Sequence, residues 1–162
     1  MSEAPVSPLR VVVADDQRAI REALAMVLDN QADIRVVGLA SDGAEAVELA
    51  ARHEAQVVLM DLRMPGTDGV SATRRLAAEQ PHVKVVVLTT FADDSSILDA
   101  LDAGAVGFLT KDAGREQITL ALRSAASGQS CSTQRCRPVS YRRLEAAPIV
   151  RPRPTTCRRR IR

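Results

Sequence analysis

The first 128 residues predict an α/β fold in which five parallel strands form one doubly wound sheet. Three observations carry this expectation. Short β-branched apolar runs alternate with longer stretches of helical period. The strand runs Val11-Val12-Val13, Val57-Val58-Leu59-Met60 and Val85-Val86-Val87-Leu88 are apolar on every residue, as strands covered by helices on both faces must be. Gly and Pro fall mainly between the runs, where turns need them.

The elements follow in order. A first strand is expected over residues 10–14 and a first helix over about residues 17–29, with Ile20, Leu24, Val27 and Leu28 on its buried face. A second strand spans residues 34–40. Asp42 followed by Glu45 reads as a capping box that opens a second helix running through about Arg52. Strands at residues 57–60, 84–89 and 107–109 alternate with helices at 71–79, 95–103 and 115–126. Pro81 and the pairs Gly66/Gly69 and Gly104/Gly107 are assigned to the connections.

At 162 residues the chain has room for one domain and an appendage. Its 46% hydrophobic and 26% charged residues are those of a globular protein, and no run approaches the roughly 20 apolar residues of a membrane span. The N-terminus lacks a basic start and an apolar run, so a cytoplasmic location without membrane partners is expected. Residues 1–128 hold 12 basic and 19 acidic side chains, a balance of −7, whereas the remaining 34 hold 10 Arg and one acid, Glu145. Residues 1–8 and the basic tail 128–162 are expected to be disordered, with the domain at 9–127. Cys131, Cys136 and Cys157 all lie in the tail, and their spacing matches no zinc pattern.

In a doubly wound sheet, functional groups gather beyond the carboxyl ends of the strands. Here the first strand ends at Asp15-Asp16, the third at Asp61 and the fourth at Thr89-Thr90, and Lys111 follows the fifth. Asp15 and Asp16 could serve simply to cap a helix, but with the other strand ends they place three carboxylates, a hydroxyl and an ammonium in one pocket. Crowded carboxylates are best tolerated beside a divalent cation, and all-oxygen ligands with room for phosphate oxygens favour Mg²⁺. A carboxylate beside that ion could attack a phosphoryl donor and form an acyl phosphate, with Lys111 and the Thr89 hydroxyl holding the phosphoryl oxygens.

The motifs Val11-Val12-Val13-Ala14-Asp15-Asp16, Leu59-Met60-Asp61-Leu62-Arg63-Met64-Pro65-Gly66, Val87-Leu88-Thr89-Thr90 and Gly107-Phe108-Leu109-Thr110-Lys111 resemble those of bacterial response-regulator receivers, in the same order. Lys111-Asp112 and the Leu-Thr-Thr-Phe-Ala-Asp-Asp run resemble the NarL/FixJ subfamily. The resemblance implies a (βα)5 flavodoxin-like receiver fold and a two-component response regulator. In that role Asp61 accepts a phosphoryl group from a sensor histidine kinase, with no enzymatic activity beyond self-catalysed phosphotransfer and autodephosphorylation. It implies that Asp16, Asp61 and the backbone carbonyl of Arg63 bind Mg²⁺, with Asp15 acting through water or one contact removed. It also implies that Thr89 and Phe108 form a switch pair, the ring following the hydroxyl as it moves toward the phosphoryl group. That movement would re-form a face between the fourth and fifth helices through which homodimers assemble.

A stand-alone receiver or interaction module without specific DNA binding is the alternative reading. A Mg²⁺-dependent aspartyl-phosphate phosphatase of the haloacid-dehalogenase kind would need a second Asp two positions after Asp61, where Arg63 stands. A Walker-type loop is absent. The subfamily resemblance implies a C-terminal LuxR-type helix-turn-helix, and with it DNA binding and transcription control, but the tail has no such pattern. As a hypothesis, the tail is an out-of-frame remnant. Cys131-Ser-Thr-Gln-Arg-Cys136, written in GC-rich codons and shifted by one nucleotide, gives Leu-Leu-Asp-Pro-Ala-Val, which resembles the start of a NarL/FixJ linker. A downstream nucleotide sequence with no helix-turn-helix in the other frame would sink that hypothesis.

Overall fold

The computed structural model describes residues 7–90 and 94–127. The expectations for residues 1–6 and for the tail 128–162 lie outside the described residues. Ten elements alternate in chain order: β1 (Leu9–Ala14), α1 (Arg18–Asp29), β2 (Ile34–Ala40), α2 (Gly43–Arg52), β3 (Val57–Met60), α3 (Gly69–Glu79), β4 (Lys84–Thr89), α4 (Asp94–Ala103), β5 (Gly107–Thr110) and α5 (Arg115–Ala126). All five strands are parallel, in the order β2-β1-β3-β4-β5.

Alternation along the strands sorts the core into two layers. Val12, Ala14, Val58, Met60, Val85, Val87 and Phe108 pack with Ala46, Ala50, Ala72, Leu76, Ile97 and Ala100 from α2, α3 and α4. Val11, Val13, Val57, Leu59, Val86, Leu88 and Leu109 pack with Leu28 of α1 and Ile118, Ala121, Leu122 and Ala125 of α5. A large aliphatic side chain wholly removed from water contributes on the order of 1.5–3 kcal/mol, so the strands need both layers. The runs of consecutive Val and Leu are thereby explained.

Several boundaries differ from expectation, each for a local reason. Helix α3 begins at Gly69 rather than Ser71, because Asp68 caps it by accepting from the Ser71 N–H at 2.8 Å. Gly69 therefore opens a helix, whereas it was assigned to a connection, and β5 starts at Gly107 as the expected strand at residues 107–109 does. At α2, Asp42 accepts from the Glu45 N–H at 2.8 Å as a capping box requires. The reciprocal bond goes one residue further back, from the Ser41 N–H to Glu45 Oε1 at 2.7 Å. On α1, Leu28 is buried and Ile20 and Leu24 are half-buried, but Val27 is exposed, since among the described residues α5 is the one helix that shares that side of the sheet with α1. Among the described residues no helix is long and apolar enough to cross a membrane.

Candidate functional site

The chain leaves β1 toward β2 on one side of the sheet, while β3 pairs on the other. This reversal opens a crevice beyond the carboxyl ends of β1 and β3, where such sheets hold their ligands. The ladder extends past the strand ends and sets the functional side chains in place. The Asp15 N–H donates to the Ala40 carbonyl at 3.0 Å, that of Asp61 to the Ala14 carbonyl at 2.9 Å, and that of Lys111 to the Thr89 carbonyl at 2.7 Å.

Asp15 and Asp61 are buried, at 1% and 5% exposure, while Asp16 is exposed. One oxygen from each of the three carboxylates lies within 4.8 Å of the others. The Lys111 ammonium donates to Asp15 Oδ2 at 2.6 Å and to Asp61 Oδ2 at 3.2 Å. The Gln17 N–H donates to Asp15 Oδ1 at 2.8 Å, and the Arg63 N–H lies 3.4 Å from Asp61 Oδ1. Asp16, Gln17, Asp61, Arg63, Thr89, Thr90 and Lys111 line an open cavity of about 240 Å³, large enough for a phosphoryl group and a few waters. A neighbouring cavity of about 390 Å³ shares Asp16 and Arg63 and extends to Ser96 of α4.

Burial pushes the Asp61 carboxyl above the usual carboxylate range. The Lys111 charge opposes this and the Asp15 charge adds to it. Burial alone would depress Lys111, but its bond to Asp15 and the charges of Asp61 and Asp15 outweigh that and hold the ammonium above its ordinary value. The pocket thus keeps a charged lysine beside a carboxylate that the protein ionises reluctantly. Its all-oxygen donor set and open side suit a hard divalent cation such as Mg²⁺.

The residues predicted for the pocket lie in it or on its rim. Phe108 is 2% exposed within the layer under α2, α3 and α4. Its strand partner is Val87, two residues before Thr89, so ring and hydroxyl lie on the same side of the sheet with the ring nearer its middle. Two supporting residues escaped sequence reasoning. Arg21 Nη1 donates to the Asp15 carbonyl at 2.6 Å, a contact between a helix and a strand end that no local pattern announces. Gly69 is the other: a Cβ there would sit 2.3 Å from the Asp61 carbonyl oxygen. Only glycine lets α3 start against the residue that carries the central carboxylate. Its place three residues after Gly66, in a turn with φ +78°, was a visible signal read only as turn chemistry.

The model of the response regulator receiver domain matches residues 11–123. The chain belongs to the response-regulator receiver family. It is 41% identical over 121 residues to the transcriptional regulatory protein LiaR of Bacillus subtilis, covering 75% of this chain and 57% of LiaR. It is 37% identical over 123 residues to the oxygen regulatory protein NreC of Staphylococcus aureus, with the same coverage of each. Among solved structures, it is similar to the receiver domain of the response regulator NarL from Mycobacterium tuberculosis, with a TM-score of 0.72 and 36% identity over 75% of this chain and 98% of that one. The chain thus spans a little over half the length of these curated relatives. Five parallel strands with five helices are the receiver architecture.

Proposed function

We propose that Asp61 accepts a phosphoryl group from a sensor histidine kinase. The observation that carries this is the meeting of Asp15, Asp16, Asp61 and Lys111 at the switch point of the sheet, with Thr89 on the same cavity. In the transfer, an Asp61 oxygen forms a bond to phosphorus as the bond from phosphorus to the kinase histidine nitrogen breaks, leaving the acyl phosphate and the free imidazole. Asp16, Asp61 and the Arg63 carbonyl would hold Mg²⁺, with Asp15 acting through water. The ion supplies charge neutralisation for the phosphoryl oxygens. Lys111 donates to one of those oxygens and the Thr89 hydroxyl to another. Movement of the Thr89 hydroxyl toward the phosphoryl group leaves space above Phe108, whose ring already lies inside in this conformation. Repacking there reshapes the face between α4 and α5, through which phosphorylated copies would pair.

In the longer relatives the receiver is part of a transcriptional regulator. Control of transcription by this protein depends in the same way on a DNA-binding domain joined to the receiver. A radiolabelled acyl phosphate with Mg²⁺ should label the wild type and leave Asp61→Asn unlabelled. Label persisting in that variant overturns the assignment of Asp61.

A further inference from the structure

Asp16 is the exposed member of the three-carboxylate cluster, and among the described residues its side chain has no hydrogen-bond partner. Asp15 and Asp61 are held through their carboxylates by Lys111 and by backbone N–H groups. What directs Asp16 is therefore its backbone. The peptide that joins Asp15 to Asp16 is one planar unit, so fixing the Asp15 carbonyl fixes the Asp16 N–H with it. That carbonyl accepts from Arg21 Nη1 at 2.6 Å, a short charge-assisted bond. The Arg21 N–H donates to the Gln17 carbonyl at 3.0 Å and so helps to start α1, while the side chain returns to the end of β1. Among the described residues Arg21 makes no ion pair, although Glu22 beside it pairs with Arg18. A half-buried guanidinium is thus given to a backbone carbonyl at the edge of the carboxylate cluster.

We propose that Arg21 is a positioning residue for the divalent cation: it clamps the Asp15–Asp16 peptide and so presents the Asp16 carboxylate beside those of Asp15 and Asp61. The inference rests on the metal-binding reading given above and adds the residue that orients its exposed ligand. The sheet itself places the other two, through the bonds of the Asp15 N–H to the Ala40 carbonyl and of the Asp61 N–H to the Ala14 carbonyl. Asp16 is instead directed from helix α1. A residue that orients a ligand without touching the ion is worth about 10- to 100-fold in metal affinity. A purely electrostatic role has the opposite sign, because removing a positive charge from beside a cation site favours the cation. The direction of the change separates clamping from repulsion.

Calorimetric titration of the full chain with MgCl₂ tests this directly, with circular dichroism to confirm that each variant is folded. Arg21→Met should bind Mg²⁺ about tenfold more weakly than wild type. In an Asp16→Asn background the same substitution should make no further difference, since the ligand it orients is already gone. The backbone amide signal of Asp16 in ¹⁵N-labelled protein should also move in Arg21→Met before any Mg²⁺ is added. Arg21→Gln drops the charge and keeps a shorter N–H donor, and it should bind no more tightly than wild type. Unchanged or tighter binding by folded Arg21→Met overturns the positioning role while leaving the metal site standing. An equal loss with Asp16→Asn already present overturns it too, because Arg21 would then act on the whole domain. If Arg21→Met does not fold, tighter binding by Arg21→Gln overturns it alone. Absence of any Mg²⁺ binding by the wild type overturns the metal-binding reading and the inference together.

Discussion

Strand β3 and the residue that follows it are equally hidden from water but opposite in their energetics. Val57, Val58, Leu59 and Met60 are at most 1% exposed, and each lies among apolar side chains of one layer or the other. One step on, Asp61 is 5% exposed and carries a carboxylate beside that of Asp15. Burial stabilises the fold in the first region and raises the energy of the ionised group in the second. The interior supplies a surplus of stability, and the carboxyl edge of the sheet spends part of it to hold a reactive charge cluster in place. Stability and function therefore occupy successive residues, the end of a strand and the position just after it.

Breaking the interior should have the largest effect on stability. Leu122 of α5 is fully buried in the layer that α1 and α5 form with the sheet, and Leu122→Ala should cost about 3 kcal/mol through lost burial and the cavity left behind. The expected signature is a lower urea midpoint with an unchanged slope. At the edge, the sign reverses. A carboxyl whose folded pKa is raised favours the fold at pH below its ordinary 3.8, and that contribution is lost as pH rises through the folded value. Measured with chelator present, Asp61→Asn should therefore gain stability relative to wild type as pH climbs from 3.8 toward neutral. A gap that moves in the wild type's favour over that range would refute the strained-edge picture.

The smallest effect belongs to the outer surface. Arg123 pairs with Asp33 through two bonds of 2.7 and 2.9 Å, but both side chains are about half exposed. Arg123→Ala should cost about 0.5 kcal/mol, less in high salt. The hydrogen bond from Arg123 lowers the pKa of Asp33, so this contribution is present above pH 3.8 and fades as pH falls through the folded value. A thermal melt at two salt concentrations separates this small screened term from the core and edge effects.

The order and type of all ten elements were legible because the apolar period is local: consecutive Val and Leu mark doubly covered strands, and a wider spacing marks helices. Helix starts were less legible. Asp68 and Gly69 both look like turn residues until the cap and the close approach to Asp61 are seen together. The exposure of Val27 was also hidden from sequence reasoning, since periodicity shows which face of α1 is apolar but not how many neighbours cover it.

The pocket divides in the same way. Its chemical inventory could be read from the ends of the strands, since a parallel sheet brings all its carboxyl ends to one edge whatever the strand order. Which carboxylate the lysine prefers could not be read, because Lys111 and Asp15 are separated by 96 positions and their 2.6 Å contact depends on the packing of the sheet. The same holds for the reluctance of Asp61 to ionise, which follows from its burial beside Asp15. The sequence by itself determined the alternating elements and the residue types at each strand end, because those depend on local period and turn chemistry. Only the tertiary structure decided how those charges are paired, because pairing is a matter of distances between residues remote along the chain.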